Sequence, residues 1–348
     1  MSGMVKCIVW DLDNTLWDGT LLEGDSVSLK PGIREVIAEL DSRGILQSVA
    51  SRNDFDLAME KLREFDLDEY FLYPQITWSD KSGSIKRIAE LLNIGLDSMA
   101  FIDDRQEELA EVASVCKDVL TLDAAVYKEL TGMDEFKPKN ITSDTGLRRR
   151  MYMDDIRRKD EESAFAGSNS EFLSTLGMKL TLSKVREGDL ERAEDLTLRT
   201  NQLNSTGITY DYEQLKEFVF SDNHLFLIAE LEDRFGSYGK IALALAEKTT
   251  FALDIKLLLT SCRVMTRGVG SAMLVYFIKQ AVRDGLKLTA DFIDTGRNRV
   301  MYVTYKLMGF ADDSGDDEAG KPVKLLYEGG AREYPPHLVV CEADQIEN

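Results

Sequence analysis

The sequence predicts an α/β protein of two domains, the first a three-layer α/β/α unit on a parallel sheet and the second a further α/β unit. Three observations carry this. Short apolar runs alternate with segments of helical periodicity, the pattern of repeated strand and helix units. The first three of those runs stop abruptly at acidic or hydroxyl side chains, as strands do where an open parallel sheet binds its ligand. A length of 348 residues is large for one core, and a polar stretch at 125–175 marks the division. The expected boundaries are 1–135 for the first domain, 136–177 for a helical linker and 178–348 for the second domain.

The opening stretch organises the rest. Cys7-Ile8-Val9-Trp10 reads as a buried strand, and Asp11-Leu12-Asp13-Asn14-Thr15 follows at its exit. Strand alternation puts Asp11 and Asp13 on one face, where two carboxylates repel each other unless a cation lies between them. A divalent metal with hard oxygen ligands, Mg²⁺, answers that need. Residues 16–30 suit a hairpin. A helix over 31–43 carries Ile33, Val36, Ile37 and Leu40, with Pro31 in its first turn and Gly44 at its end. The second strand, 45–50, runs into Ser51-Arg52-Asn53-Asp54, a set of capping residues that opens a helix with Leu57, Met59, Leu62 and Phe65. A Ser51 hydroxyl at a strand exit beside a helix start is well placed for a phosphate oxygen. Lys81 then leads a helix with Ile85, Ile88, Ala89 and Leu92, and a third strand, 98–102, ends in Asp103-Asp104. Lys86 rivals Lys81, but it lies inside the helix and flanks the apolar stripe.

In this order, D-L-D-N-T, a serine after the second strand, a lysine opening the next helix and D-D after the third strand, the chain resembles the haloacid dehalogenase superfamily of aspartyl-phosphate phosphotransferases. The longer strings Val9 to Gly19, Pro74-Gln75-Ile76-Thr77-Trp78 and Phe101-Ile102-Asp103-Asp104 are similar to those of FkbH-like proteins, which prepare glyceryl or related three-carbon units for polyketide assembly lines. The resemblance implies a Rossmann-like haloacid dehalogenase domain with Asp11 as nucleophile and Asp13 as general acid/base. It further implies that Ser51, Asn53 and Lys81 hold the phosphoryl group, and that Asp11, Asp13, Asp103 and Asp104 form the Mg²⁺ site. The spacers between motifs are too short for the lid inserts of that superfamily, so the site is expected to be open to a large substrate or covered by the second domain.

Around the division, a charged helix is expected at about 146–165 between the loops Thr142-Ser143-Asp144 and Gly167-Ser168-Asn169-Ser170, with Arg148-Arg149-Arg150 as a solvated face. From Lys179 the pattern reads strand 179–185, helices 188–199 and 211–219, strands 224–231, 239–247 and 251–259, helix 270–283, strand 286–293 and helix 297–308. This order is similar to the GNAT acyltransferase fold. Arg267-Gly268-Val269-Gly270-Ser271-Ala272 resembles that fold's glycine loop, where backbone N–H groups at a helix start cradle a pantetheine pyrophosphate. Two further strings resemble FkbH-family signatures, Thr200-Asn201-Gln202-Leu203-Asn204 and Ser261-Cys262-Arg263. Asn201, Gln202, Asn204, Arg263, Arg267, Gly268 and Gly270 are therefore the expected acyl- and pantetheine-binding residues. Cys262, beside a cation and near a helix start, has surroundings that favour a thiolate. Cys7, four residues before Asp11 in an extended strand and so about 13 Å from the site, reads as core.

Composition narrows the function. A net charge of −20 argues against nucleic-acid partners, which need clustered Lys and Arg. No apolar run reaches the roughly 18–20 residues of a membrane span and no signal-peptide pattern opens the chain, so a cytoplasmic protein without membrane contact is expected. The four cysteines show no C-x-x-C spacing, which speaks against zinc and disulfides. His224 and His337 have no setting for a general base, and Asp312, Asp313, Asp316, Asp317 and Glu318 read as a solvated loop. The resemblance implies an enzyme that takes the acyl group of 1,3-bisphosphoglycerate on a thiol, removes the remaining phosphate at Asp11 and delivers a glyceryl group to an acyl carrier protein. The phosphopantetheine thiol is supplied by that carrier. The alternative is a stand-alone Mg²⁺-dependent small-molecule phosphatase with an accessory second domain. A homodimer is among the assemblies the sequence leaves open.

Overall fold

A computed structural model describes residues 4–24, 26–141, 144–200, 202–313 and 323–343. The chain divides into two compact units, 1–153 and 154–348. No helix among the described residues is long and apolar enough to cross a membrane.

In the first unit the strands are β1 (Cys7–Trp10), β2 (Trp17–Asp18), β3 (Ser28–Leu29), β4 (Leu46–Ser51), β5 (Gln75–Ile76), β6 (Met99–Asp103) and β7 (Leu120–Asp123). The helices are α1 (Ile33–Ser42), α2 (Phe55–Glu64), α3 (Lys81–Leu92) and α4 (Gln106–Val115). Five strands form a parallel sheet in the order β5-β4-β1-β6-β7, and β2 with β3 makes the hairpin. The chain leaves β1 for β4 on one side and returns to β6 on the other, so the switch point lies at the exit of β1. That is where the Asp-x-Asp sequence emerges. Its turn needs a left-handed residue, and Asn14 supplies it at φ 56°, its side-chain oxygen accepting from Gly19 N at 3.1 Å. One sheet face is covered by α1 and α2: Ile33, Ile37 and Leu40 of α1 and Ala58 and Leu62 of α2 share a core with Ile8, Trp10, Val49 and Ile102.

Residues of the expected helical linker, 136–177, enter hydrophobic cores: Phe136 the first and Phe172, Leu173 and Leu176 the second. Tyr127, Leu130 and Phe136 complete the first core, and α5 (Arg148–Ala164) runs through the division. Arg148 and Arg149 are not a solvated face. Arg148 donates to the Gly44 carbonyl at 2.9 Å, while Arg149 pairs with Asp41 at 3.0 Å and lies 4.7 Å from the Tyr70 ring centre. Helix α6 (Asn169–Thr175), capped by a reciprocal Ser168 and Glu171 box, sends Phe172 and Leu173 into the second core. Of the expected loop residues, Thr142 and Ser143 lie outside the described residues.

The second unit holds β8 (Met178–Lys184), α7 (Leu190–Arg199), α8 (Tyr212–Val219), β9 (His224–Asp233), β10 (Gly236–Lys248) and β11 (Ala252–Thr260). These are followed by α9 (Val269–Asp284), β12 (Lys287–Phe292), α10 (Arg299–Met308), β13 (Phe310–Asp312), β14 (Val323–Tyr327) and β15 (Leu338–Glu342). The sheet order is β13-β14-β12-β11-β10-β9-β8-β15. Its central pairs are antiparallel, whereas β11 and β12 run parallel, the GNAT-like α/β arrangement expected from the element order. Strands β13, β14 and β15 go beyond that expectation. Asp312, expected in a loop, belongs to β13 and accepts from Tyr302 Oη at 3.0 Å, while Asp313 pairs with Lys287 at 3.6 Å. Asp316, Asp317 and Glu318 lie outside the described residues. β15 adds in parallel to β8 from the proline-rich tail.

Parallel pairing of β11 with β12 covers Ala252 to Ile255 and then stops. The freed edge of β11 is taken up by the chain itself: Ser205 N donates to the Leu258 carbonyl and Thr260 N to the Leu203 carbonyl, both at 2.9 Å. Leu258 N donates to Ser205 Oγ at 3.0 Å, and Ile293 N, beyond β12, donates to the Ser205 carbonyl at 3.1 Å. A strand edge buried without such partners would be costly.

One buried ion pair holds the β9–β10 turn. Arg158 of α5 forms a fork with Asp233, at 2.7 and 2.9 Å, and its guanidinium lies 3.8 Å from the Tyr238 ring centre. Asp233 also accepts from Tyr238 Oη at 3.0 Å and from Phe235 N at 2.9 Å. Removing one partner strands a buried charge. Asp233→Ala is therefore expected to destabilise the second unit by about 3–5 kcal/mol in denaturant unfolding; a loss like that of an exposed pair would remove this network as the anchor of α5.

Candidate active site and acyl-transfer loop

The first site is assembled by three strand exits. β1 is paired with β4 on one side and β6 on the other, so Asp11, Ser51 and Asp103 arrive at the same end of the sheet. Lys81, the first residue of α3, crosses this end: its Nζ donates to Asp11 Oδ1, to the Ala50 carbonyl at 2.7 Å and to Asp103 Oδ2 at 3.1 Å. Lys86 is exposed, so Lys81 is the lysine that the fold brings to the carboxylates. Burial opposes the charge on Lys81, but Asp11 and Asp103 outweigh it and hold its pKa above the ordinary lysine value. Burial first, and then the Asp11 charge, push Asp103 up to about 6 and raise Asp104.

Asp11, Asp103 and Asp104 each bring a carboxylate oxygen within 4.8 Å of the others. Three carboxylates with one lysine leave an excess of negative charge, and their all-oxygen donor set fits a hard divalent cation such as Mg²⁺. The cluster is fixed from behind: Asp103 Oδ1 accepts from Arg105 N at 2.9 Å, and Asp104 N donates to Thr15 Oγ1 at 3.1 Å.

Asp13 is not among the three carboxylates that converge here. One carboxylate oxygen accepts from Trp17 Nε1 at 2.7 Å and Leu21 N at 3.1 Å, the other from Asn53 Nδ2 at 3.0 Å. Burial raises its pKa despite these bonds, a condition suited to a group that must give up and regain a proton. Asn53 is buried, and its donation to Asp13 fixes the orientation of that carboxylate. Ser51 is buried at the end of β4. Thr15 and Trp17 lay within the Val9 to Gly19 string without a role of their own, and Leu21 N and the Ala50 carbonyl carried no sequence signal.

In the second unit Cys262 opens a short 3-10 turn directly after β11 and is part-exposed. Arg263 Nη2 donates to the Tyr238 carbonyl at 2.8 Å. Gly268, at φ +79°, begins α9, and a side chain there would meet His337 Nε2 at 3.1 Å and Pro335 at 3.4 Å. Arg267 is 4% exposed and directs Nη2 at Glu162 of α5, 3.2 Å away, while its Nε and Nη1 have no hydrogen-bond partner among the described residues. Gly270 lies in the first turn of α9 and Gln202 is exposed. Asn204 is fully buried: its Oδ1 accepts from Thr206 N and Gly207 N, and its Nδ2 donates to the Ile208 carbonyl. Its amide thus serves its own turn. Asn201 lies outside the described residues.

The other cysteines are core-like or strand residues. Cys7 is fully buried and burial pushes its thiol far up; Cys116 is buried and raised for the same reason; Cys341 lies in β15.

A parallel sheet with an aspartate cluster and a bridging lysine at its switch point defines a phosphatase unit of the haloacid dehalogenase type. The human protein magnesium-dependent phosphatase 1 is 30% identical over 134 residues, covering 33% of this chain and 76% of that protein, and the chain belongs to this phosphatase family. The N-terminal part of the protein BF1531 from Bacteroides fragilis, containing a phosphatase domain complexed with Mg, is 30% identical at a TM-score of 0.30 over 36% of this chain; the match spans only 39% of that structure. The ribosomal-protein-S18-alanine N-acetyltransferase from Escherichia coli is 14% identical, covering 44% of this chain and 99% of its own, at a TM-score of 0.32. No family model matches the chain.

Proposed function

We propose that the protein loads a three-carbon acyl group, glyceryl from 1,3-bisphosphoglycerate, onto an acyl carrier protein for polyketide synthesis and removes its phosphate on the way. The observation that carries the phosphatase half is the contact of Lys81 with both Asp11 and Asp103 at the switch point. Membership in the magnesium-dependent phosphatase family supports Mg²⁺ as the ion. Asp11, Asp103 and Asp104 would hold it, and when bound it would supply positive charge against the phosphoryl oxygens. The acyl half rests on the FkbH-like strings around Cys262 and the glycine loop. The Arg267 nitrogens that have no partner among the described residues suit an anion such as the carrier's phosphopantetheine, although the contact with Glu162 turns part of this guanidinium toward α5.

The steps follow from these roles. The Cys262 thiolate attacks the acyl carbonyl of 1,3-bisphosphoglycerate, forming a thioester and expelling inorganic phosphate. Asp11 attacks the remaining phosphoryl phosphorus while Asp13 protonates the leaving alcohol oxygen, and Lys81 neutralises charge on the phosphoryl group. Asp13 then takes a proton from water, which hydrolyses the aspartyl phosphate. Finally the carrier thiol displaces Cys262 from the thioester. The reaction suits a reducing, cytoplasmic setting, in which all four cysteines stay thiols.

Chelation separates the halves. With 1,3-bisphosphoglycerate and a chelator, the intact enzyme is expected to gain a phosphoglyceryl group; with Mg²⁺ the adduct becomes glyceryl. Absence of any covalent adduct in both conditions, with phosphate released only when Mg²⁺ is present, would favour the stand-alone phosphatase.

A further inference from the structure

Arg52 stands between two residues of the site, Ser51 and Asn53, and takes no part in the chemistry assigned so far. Its guanidinium reaches 3.5 Å from Asp80 Oδ1, one residue before Lys81, and 3.5 Å from Glu108 Oε1 in the first turn of α4. The Glu108 carboxylate is buried, with only 6% of the side chain exposed, and it also holds Arg105, the residue after Asp104, at 3.8 Å. These are long ion pairs. Among the described residues neither guanidinium makes a side-chain hydrogen bond, and their side chains remain 38% and 60% exposed. Buried Glu108 therefore ties two arginines to the loops that carry Ser51 and Asp104, and leaves their N–H groups open to a ligand. A planar guanidinium with unused donors is the side chain best matched to a carboxylate or phosphate.

We propose that Arg52, assisted by Arg105, forms a second anion subsite beside the phosphoryl pocket, so that the preferred substrates are small phosphomonoesters carrying a further anionic group a few bonds from the phosphate. This rests on the phosphatase reading of Asp11 and Lys81 and concerns free phosphomonoesters alone, since the phosphoglyceryl thioester of the acyl-transfer sequence carries no second anion and would leave the subsite empty. Lys81 is already committed to Asp11 and Asp103. A second anion on the substrate thus needs its own cation, and Arg52 is the basic residue next in sequence to the phosphate-binding serine.

The test uses the full chain carrying Asp11→Asn, with Mg²⁺, so that ligands bind without turnover. Binding of 3-phosphoglycerate and glycerol 3-phosphate, which share a three-carbon phosphomonoester and differ in the carboxylate, is measured by calorimetry. The expected result is at least about tenfold tighter binding of 3-phosphoglycerate, an advantage that Arg52→Gln abolishes and Arg52→Lys partly keeps, with glycerol 3-phosphate affinity unchanged within about twofold. An advantage that survives Arg52→Gln, or an equal loss for both ligands, overturns the subsite. Equal binding of both ligands by the chain with Arg52 intact overturns it as well, while leaving the phosphatase reading standing. Failure of both ligands to bind, together with no phosphate release from either by the unaltered chain with Mg²⁺, would instead overturn the phosphatase reading and the subsite with it.

Discussion

Asp11→Asn is expected to lower phosphate release from any phosphomonoester substrate by about four orders of magnitude or more, the scale of losing a covalent nucleophile. The amide keeps the size of the carboxylate but has little nucleophilicity, and it removes one of the three oxygens proposed to hold the ion. The fold should survive, because Asp103 and the Ala50 carbonyl still hold Lys81 and the surrounding core is untouched. Asp13→Asn provides the contrast. Asp13 binds Trp17, Leu21 N and Asn53 and stands outside the metal cluster, so its loss should spare formation of the phosphoenzyme from an aryl phosphate with a good leaving group and slow its hydrolysis. An initial burst of nitrophenol followed by a slow phase would show this. An unchanged rate for Asp11→Asn would remove that residue from the mechanism.

The second large effect is expected at Cys262. Cys262→Ala should abolish both the acyl-enzyme and transfer to the carrier, while phosphate release from a simple phosphomonoester stays within about twofold, because the thiol takes no part in phosphoryl chemistry. The competing thiols differ physically. Cys7 lies in the core of β1 with its thiol pushed up by burial, and Cys116 is buried against the Ser82 carbonyl at 3.8 Å. Cys7→Ala should therefore cost stability and leave transfer in place.

The phosphatase site was legible because its chemistry is local to strand exits. A buried strand ending in two acids, another ending in serine and a third ending in paired acids can be read from apolar runs and their last residues, and parallel pairing then brings them together without further information. What escaped reading depends on contacts distant in sequence. Asn53, which the resemblance implies as a phosphate-holding residue, donates to Asp13, forty positions earlier. The contacts of Asp13 with Trp17 and Asn53 could likewise not be read from its sharing a face with Asp11.

In the second unit the element order was readable to within a few residues from β8 to α10. The additions were not, because β15 follows a proline-rich tail and its partner β8 lies some 160 positions earlier. The same holds for Leu203 to Ser205. Its neighbours in the string Thr200 to Asn204 stood out by family resemblance, whereas only the divergence of β11 from β12 gives its backbone the edge it bonds to. The arginines at 148 and 149 looked solvated for want of any sequence sign that Gly44, Asp41 and Tyr70 would meet them.

The most direct test of the proposed function is the intact mass of a holo acyl carrier protein after incubation with this enzyme, Mg²⁺ and freshly generated 1,3-bisphosphoglycerate, run beside Cys262→Ala. The expected result is a glyceryl adduct, free of phosphate, on the carrier with the unaltered enzyme and none with the variant. Phosphate release without any adduct across several carriers, or an adduct that persists with Cys262→Ala, would contradict it.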